Sequence, residues 1–155
     1  MNSKNEKKGG PELCTTGVVG LDDVLGGGLP RRRIYLLQGD PGVGKTTLAL
    51  QFLLEGERLG EAGLYITLSE TKEEIEEVGR SHGWDLSKID LFELSSLAEQ
   101  LEGEADSTFF HPSEIELNRT TKALLEEVER VNPSRVIFDS LSEMRMLAET
   151  PLRYR

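Results

Sequence analysis

Apolar and polar positions follow two different periods along the chain, and each change of period marks an element. Residues 34–37 (Ile34, Tyr35, Leu36, Leu37) form a short apolar run, as in a strand buried on both faces. Over residues 46–58 the apolar side chains Leu48, Ala49, Phe52 and Leu53 recur at helical spacing. Residues 64–68 are a second strand. Thr71-Lys72-Glu73-Glu74 then has the form of a capping box, which predicts a helix to about His82 with Ile75 and Val78 inward and Gly83 as its stop. Trp84 follows, placed to pack that helix against the sheet. Residues 89–94 make a third strand. Residues 113–131 make a long helix with Leu117, Leu124, Leu125, Val128 and Val131 on its buried stripe, ended by Asn132-Pro133. Residues 135–140 are a fourth strand, apolar and ending in Asp139.

Between these elements the pattern is weaker. Residues 1–12 are polar and Gly-rich and predict a flexible tail, leaving residues 13–155 as one domain. Val24 and Leu25 fit a short helix stopped by Gly26-Gly27-Gly28 and Pro30. The triple glycine is either a helix end with a turn, or a lead-in that approaches a nucleotide or a neighbouring subunit. Residues 95–112 have no period and predict a loop carrying Phe109 and Phe110. Residues 143–155 look like the opening of a further element.

Composition narrows the function classes. At 37% hydrophobic and 30% charged residues the chain is a water-soluble globular sequence. No apolar run approaches the ~20 residues that span a bilayer, and no signal peptide is visible. A lone Cys14 excludes an internal disulfide and fits a reducing, cytoplasmic setting. The net charge of −10 argues against a general nucleic-acid surface, although Arg31-Arg32-Arg33 is a local basic run. Residues 90–130 carry an acidic excess that reads as a solvated face. His82 and His111 have no metal-ligand partners at useful spacing.

The chemistry gathers at Gly39-Asp40-Pro41-Gly42-Val43-Gly44-Lys45-Thr46-Thr47, a G-x-x-x-x-G-K-T pattern between a predicted strand and a predicted helix. Glycines let the backbone curl so that several N–H groups point at one phosphate, and the helix N-terminus adds its positive dipole end. Lys45 supplies a cation for the β- and γ-phosphates, and the Thr46 hydroxyl is a ligand for Mg²⁺. Asp139, closing an apolar strand downstream with two strands between, fits the Walker B acid that would hold Mg²⁺ opposite Thr46. Glu70 lies between a strand's C-terminal end and a helix start, the edge of an open α/β sheet where ligands bind. It is either a general base for a water or a partner of the helix dipole.

With these residues in place, the chain resembles the RecA-like ATPases, and most closely the KaiC-like group. The matching segments are TGVVGLDDVLGGGLP, YLLQGDPGVGKTTLALQFL, GLYITLSETKEE, SHGWDL and RVIFDSLSEMR, in that order. The resemblance implies an α/β fold, a mostly parallel RecA-type sheet flanked by helices, binding of ATP with Mg²⁺, and ring-shaped homo-oligomers with ATP at subunit boundaries. It implies that residues 39–47 cradle the phosphates, that Asp139 is the Walker B acid, and that Glu70 is the candidate general base. Two departures stand out. The family often has two adjacent carboxylates where this chain has Ser69-Glu70, and it commonly has Gly where this chain has Arg32. If position 32 needs a positive φ, Arg32 carries strain on the order of 1 kcal/mol.

In a RecA-type sheet the strand after Asp139 lies between the Walker B and Walker A strands. The chain ends about one helix beyond Asp139. The expectation is therefore a partial domain, not competent alone, in which 136–139 pairs with 64–68, and 64–68 with 89–94, with a gap beside 34–37. The leading function is ATP binding with hydrolysis. The alternatives are a nucleotide-binding interaction module with little turnover and, less favoured by charge, a DNA-dependent recombinase or helicase relative. The protein partner of the ATP cycle is not identifiable from sequence.

Overall fold

The computed structural model describes residues 11–94 and 112–142, with side chains in the last helix described from Thr120 onward. In chain order the elements are β1 (Leu13–Cys14), α1 (Val19–Val24), β2 (Leu29–Pro30), α2 (Lys45–Arg58), β3 (Gly63–Thr67), α3 (Lys72–Ser81), β4 (Asp90–Glu93), α4 (Pro112–Val131) and β5 (Arg135–Asp139). Expectations for 1–10, 95–111 and 143–155, and for the Leu117 side chain, fall outside the described residues.

The fold is α/β. A parallel sheet of order β4-β3-β5 has α2 packed on β3 and β5, and α3 against β4. Its register pairs Thr67 with both Glu93 and Asp139, so the strand ends carrying the acids are level. All five residues of β3 are buried, as a central parallel strand requires. The core gathers Ala49, Leu50 and Leu53 of α2 with Tyr65, Ile75, Leu86 and Ile89; Phe52, Val78 and Trp84 pack against it half-buried. Thr71 caps α3 as expected: its hydroxyl accepts from the Glu74 amide (3.2 Å), and the Glu74 carboxylate accepts from the Thr71 amide (2.8 Å). Among the described residues, no helix is long and apolar enough to cross a membrane.

The structure corrects two expectations and settles one left open. Residues 34–37 are not a strand. Ile34 is fully exposed and Leu36 is 72% exposed. A strand is held by ladder hydrogen bonds, and among the described residues none pairs there or along the outer edge of β5. Leu125 is exposed, so the buried stripe of α4 is narrower than the pattern suggests, with Leu124 and Val128 half-buried. The triple glycine is the helix end with a turn that the pattern allows: the Gly26 and Gly27 amides donate to the Asp23 and Asp22 carbonyls (3.2 and 2.7 Å), and the chain then enters β2, whose antiparallel hairpin with β1 the pattern does not predict. Gly28 (φ +125°) passes so close to β1 that a Cβ there would lie 2.3 Å from the Cys14 carbonyl oxygen.

A buried arginine ties this hairpin to the sheet. Arg135, the first residue of β5, is 2% exposed. Its guanidinium donates to Glu61 (2.6 Å), the Thr15 carbonyl (2.7 Å) and the Phe52 carbonyl (2.8 Å), and lies 4.6 Å over the Phe52 ring. Glu61 also pairs with Arg31 beside β2. Burial works to raise the Glu61 carboxyl, but its two arginine partners outweigh that and hold it below the usual value. One charge cluster thus joins the hairpin, α2 and the start of β5.

Candidate functional site

The loop before α2 has the curl that the glycines permit. Gly42 (φ +81°) and Gly44 (φ +89°) are left-handed, where a side chain is strained. Gly39 sits so that a Cβ would meet Val43 at 2.8 Å. Gly44 caps α2 without a side chain, so the first-turn amides of Lys45, Thr46 and Thr47 meet no capping side chain there. Lys45 Nζ turns back into the loop and donates to the carbonyls of Gly39 and Asp40, both at 3.0 Å. These are neutral acceptors that a triphosphate would replace with charged oxygens. Pro41 and Val43 form the exposed rim.

The sheet brings the remaining groups to this loop. Because Tyr65 pairs with Ile137 and Thr67 with Asp139, the side chains of 65, 67, 137 and 139 share the face that Tyr65 turns toward α2. The Tyr65 hydroxyl donates to Asp139 Oδ2 at 2.7 Å. Burial, then the hydrogen bond to Asp139, pushes the Tyr65 phenol well above its ordinary range, so it stays protonated.

Glu70 closes the cluster. The Thr67 hydroxyl donates to the Glu70 carbonyl (2.8 Å) and accepts from its amide (3.0 Å), fixing the turn after β3. Glu70 Oε2 is buried and has no hydrogen-bond partner among the described residues. Burial first, then the charges of Asp139 and Glu74, raise its carboxyl above the usual glutamate value. A buried carboxylate oxygen without a donor is a place for a water or a cation. Among the described residues no three carboxylates, histidines or cysteines gather as a protein-only metal cage. Mg²⁺ does not need one, since it takes one or two protein ligands with phosphates and water, and Thr46 with Asp139 fit that donor set.

Every sequence-predicted site residue within the described region lies on the loop 39–47 or in this cluster. The side chain at this edge that the sequence reading did not single out is Tyr65, which bonds Asp139. The available signal was a hydroxyl-bearing ring in the middle of an otherwise apolar buried strand, where the O–H must find a partner.

Comparison with known proteins bears on the family and the fold. Residues 14–155 match the family described as "ATPase: KaiC". A UPF0273 protein of Pyrococcus furiosus is 28% identical over 134 residues, covering 83% of this chain and 54% of that protein. A UPF0273 protein of Aeropyrum pernix is 32% identical over 136 residues, with the same two coverages. The chain thus spans about half the length of these curated relatives. In structure it is similar to the KaiC-like protein PH0186 of Pyrococcus horikoshii, with a TM-score of 0.71 at 24% identity, over 94% of this chain and 64% of that one. On the span of that family match, with the parallel sheet and the P-loop it carries, the chain belongs to the KaiC family of ATPases.

Proposed function

We propose that the chain binds Mg·ATP on the loop 39–47 and that the longer protein of which it has the pattern hydrolyses the terminal phosphate bond. The observation that carries this is the pairing of a glycine-curled loop, into which Lys45 turns at the start of α2, with the acids Asp139 and Glu70 at the C-terminal edge of the sheet. Bound Mg²⁺ would supply positive charge to the phosphate oxygens. The loop amides and α2 dipole bind phosphate, and Lys45 leaves two neutral carbonyls for it. Thr46 and Asp139 are the residues that would hold the cation. Glu70 orients a water and takes its proton as the water oxygen attacks the γ-phosphorus, and the bond from that phosphorus to the bridging oxygen breaks, releasing ADP and phosphate.

A second reading is a nucleotide-responsive interaction module with little turnover. Ser69 in place of a first carboxylate favours it, as does the raised Glu70, which is a base only where it is ionised. The exposed apolar run 34–37 and the outer edge of β5, which has no ladder among the described residues, support the domain reading made from sequence: residues 13–155 form part of a sheet that continues between those two segments. Assembly into a ring, an ATP-regulated protein partner and a cytoplasmic location belong to the same proposal.

Titrating nucleotide into the wild type and Lys45→Ala tests the binding. The variant should lose about ten- to a hundredfold in Mg·ATP affinity, the worth of one charged hydrogen-bond donor, with unchanged circular dichroism. Equal affinity would overturn the P-loop assignment. Single-turnover hydrolysis by this chain and by a C-terminally longer one then separates enzyme from module.

A further inference from the structure

We infer that Tyr65 is a positioning residue of the metal site: its hydroxyl holds Asp139 in the orientation that presents the other carboxylate oxygen to Mg²⁺. This rests on the Mg·ATP reading above and deepens it.

The ring of Tyr65 is fully buried in the middle of β3, in the core with Leu50 and Leu53. Phe would fill that space without bringing a polar group that must be satisfied. The hydroxyl therefore has a use beyond packing, and its partner is Asp139 Oδ2 at 2.7 Å. A carboxylate at a strand end can rotate about its last bond, and a hydrogen bond to one oxygen fixes its plane. With Oδ2 taken, Oδ1 is left for the cation. The ring that carries the hydroxyl is anchored by the core, so the position of this donor is fixed. Groups that orient metal ligands typically contribute ten- to a hundredfold in metal affinity.

The test titrates Mg²⁺ against a fixed concentration of a fluorescent ATP analogue. It compares wild type, Tyr65→Phe, Asp139→Asn and the double variant, with thermal melting as a check on the fold. Tyr65→Phe should bind the analogue as wild type does in EDTA, yet need about tenfold or more Mg²⁺ for half-saturation. In the Asp139→Asn background it should add nothing, because the residue acts through that carboxylate. An Mg²⁺ requirement within about twofold of wild type would overturn the inference. So would an equal shift in the Asp139→Asn background, or loss of analogue binding in EDTA, since each marks a merely structural tyrosine. If wild type itself binds the analogue no better with Mg²⁺ than in EDTA, the Mg·ATP reading falls and takes this inference with it, without reference to any Tyr65 variant.

Discussion

Gly56→Ala should destabilise the protein, against the usual gain from removing a helix glycine. Gly56 is buried in the last turns of α2, under Arg135. A Cβ there would lie 2.5 Å from Arg135 Cδ and 2.7 Å from Nε, where ordinary contacts are about 3.5–4 Å. The guanidinium cannot retreat freely, because it is held by Glu61 and by the carbonyls of Thr15 and Phe52. Losing both carbonyl bonds costs about 3–6 kcal/mol at about 1.5–3 each for a charged donor. The alanine returns about 1 kcal/mol of helix propensity. The net loss is about 2–5 kcal/mol, a fall in melting temperature of about 5–15 °C for a chain of this size. Gly20→Ala, in exposed α1 with nothing within 4 Å of its Cβ, is the control and should not lower the melting temperature. Differential scanning fluorimetry of both variants gives the answer. A Gly56→Ala protein as stable as wild type would refute the claim that Arg135 is pinned. In an Arg135→Met background the penalty should shrink, because the clashing group is then neutral and flexible.

Arg32 has φ +59°, so Arg32→Gly should stabilise the fold by about 0.5–1 kcal/mol, read as a higher denaturant midpoint; a lower midpoint would show that the conformation is not strained. Glu70→Gln should raise the melting temperature at neutral pH. The raised carboxyl makes the folded state bind more protons than the unfolded one, so Glu70 costs stability as pH rises from the ordinary glutamate value through its own. The gain from Glu70→Gln should therefore fade as the melts are moved down to about pH 4.5, near the ordinary glutamate value, and a pH-independent gain would contradict this assignment.

The elements legible in the sequence were those whose stability is local or periodic. The capping box at Thr71–Glu74 and the strands at 64–68 and 135–140 follow from local spacing, and the order β4-β3-β5 from the RecA-type sheet that the resemblance implies. Arg32 was legible because a family position that usually carries Gly marks a backbone requirement. The hairpin β1–β2 was not, since two-residue strands have no period. Arg135 was not, because a charged residue opening a strand reads as exposed unless its distant partners, Glu61 and the Thr15 and Phe52 carbonyls, are known. Residues 34–37 show the converse. Their pattern is a strand's, but a pattern only states what a segment can bury, and pairing needs a neighbour. The candidate site was legible as Lys45, Thr46, Asp139 and Glu70. Tyr65, which bonds Asp139, was hidden by looking like core.

These hidden residues explain how β5 can hold a candidate site in place. Among the described residues β5 is hydrogen-bonded to a neighbour on one side only, through β3. A strand held by one ladder is free to tilt about it, and a tilt is largest at the strand's ends, where Asp139 lies. The sequence puts a side-chain tie at each end. At the start, Arg135 reaches into α2 and the hairpin. At the finish, Tyr65 grips Asp139 from β3, and the Asp139 carbonyl accepts from the Leu68 amide at 2.9 Å. The first tie is far from the chemistry and the second is within it, yet both constrain one rigid element, so slack at either end would be felt at the carboxylate. Gly56→Ala should accordingly weaken the Mg²⁺ dependence of nucleotide binding as well as stability, although Gly56 lies at the opposite end of α2 from Lys45.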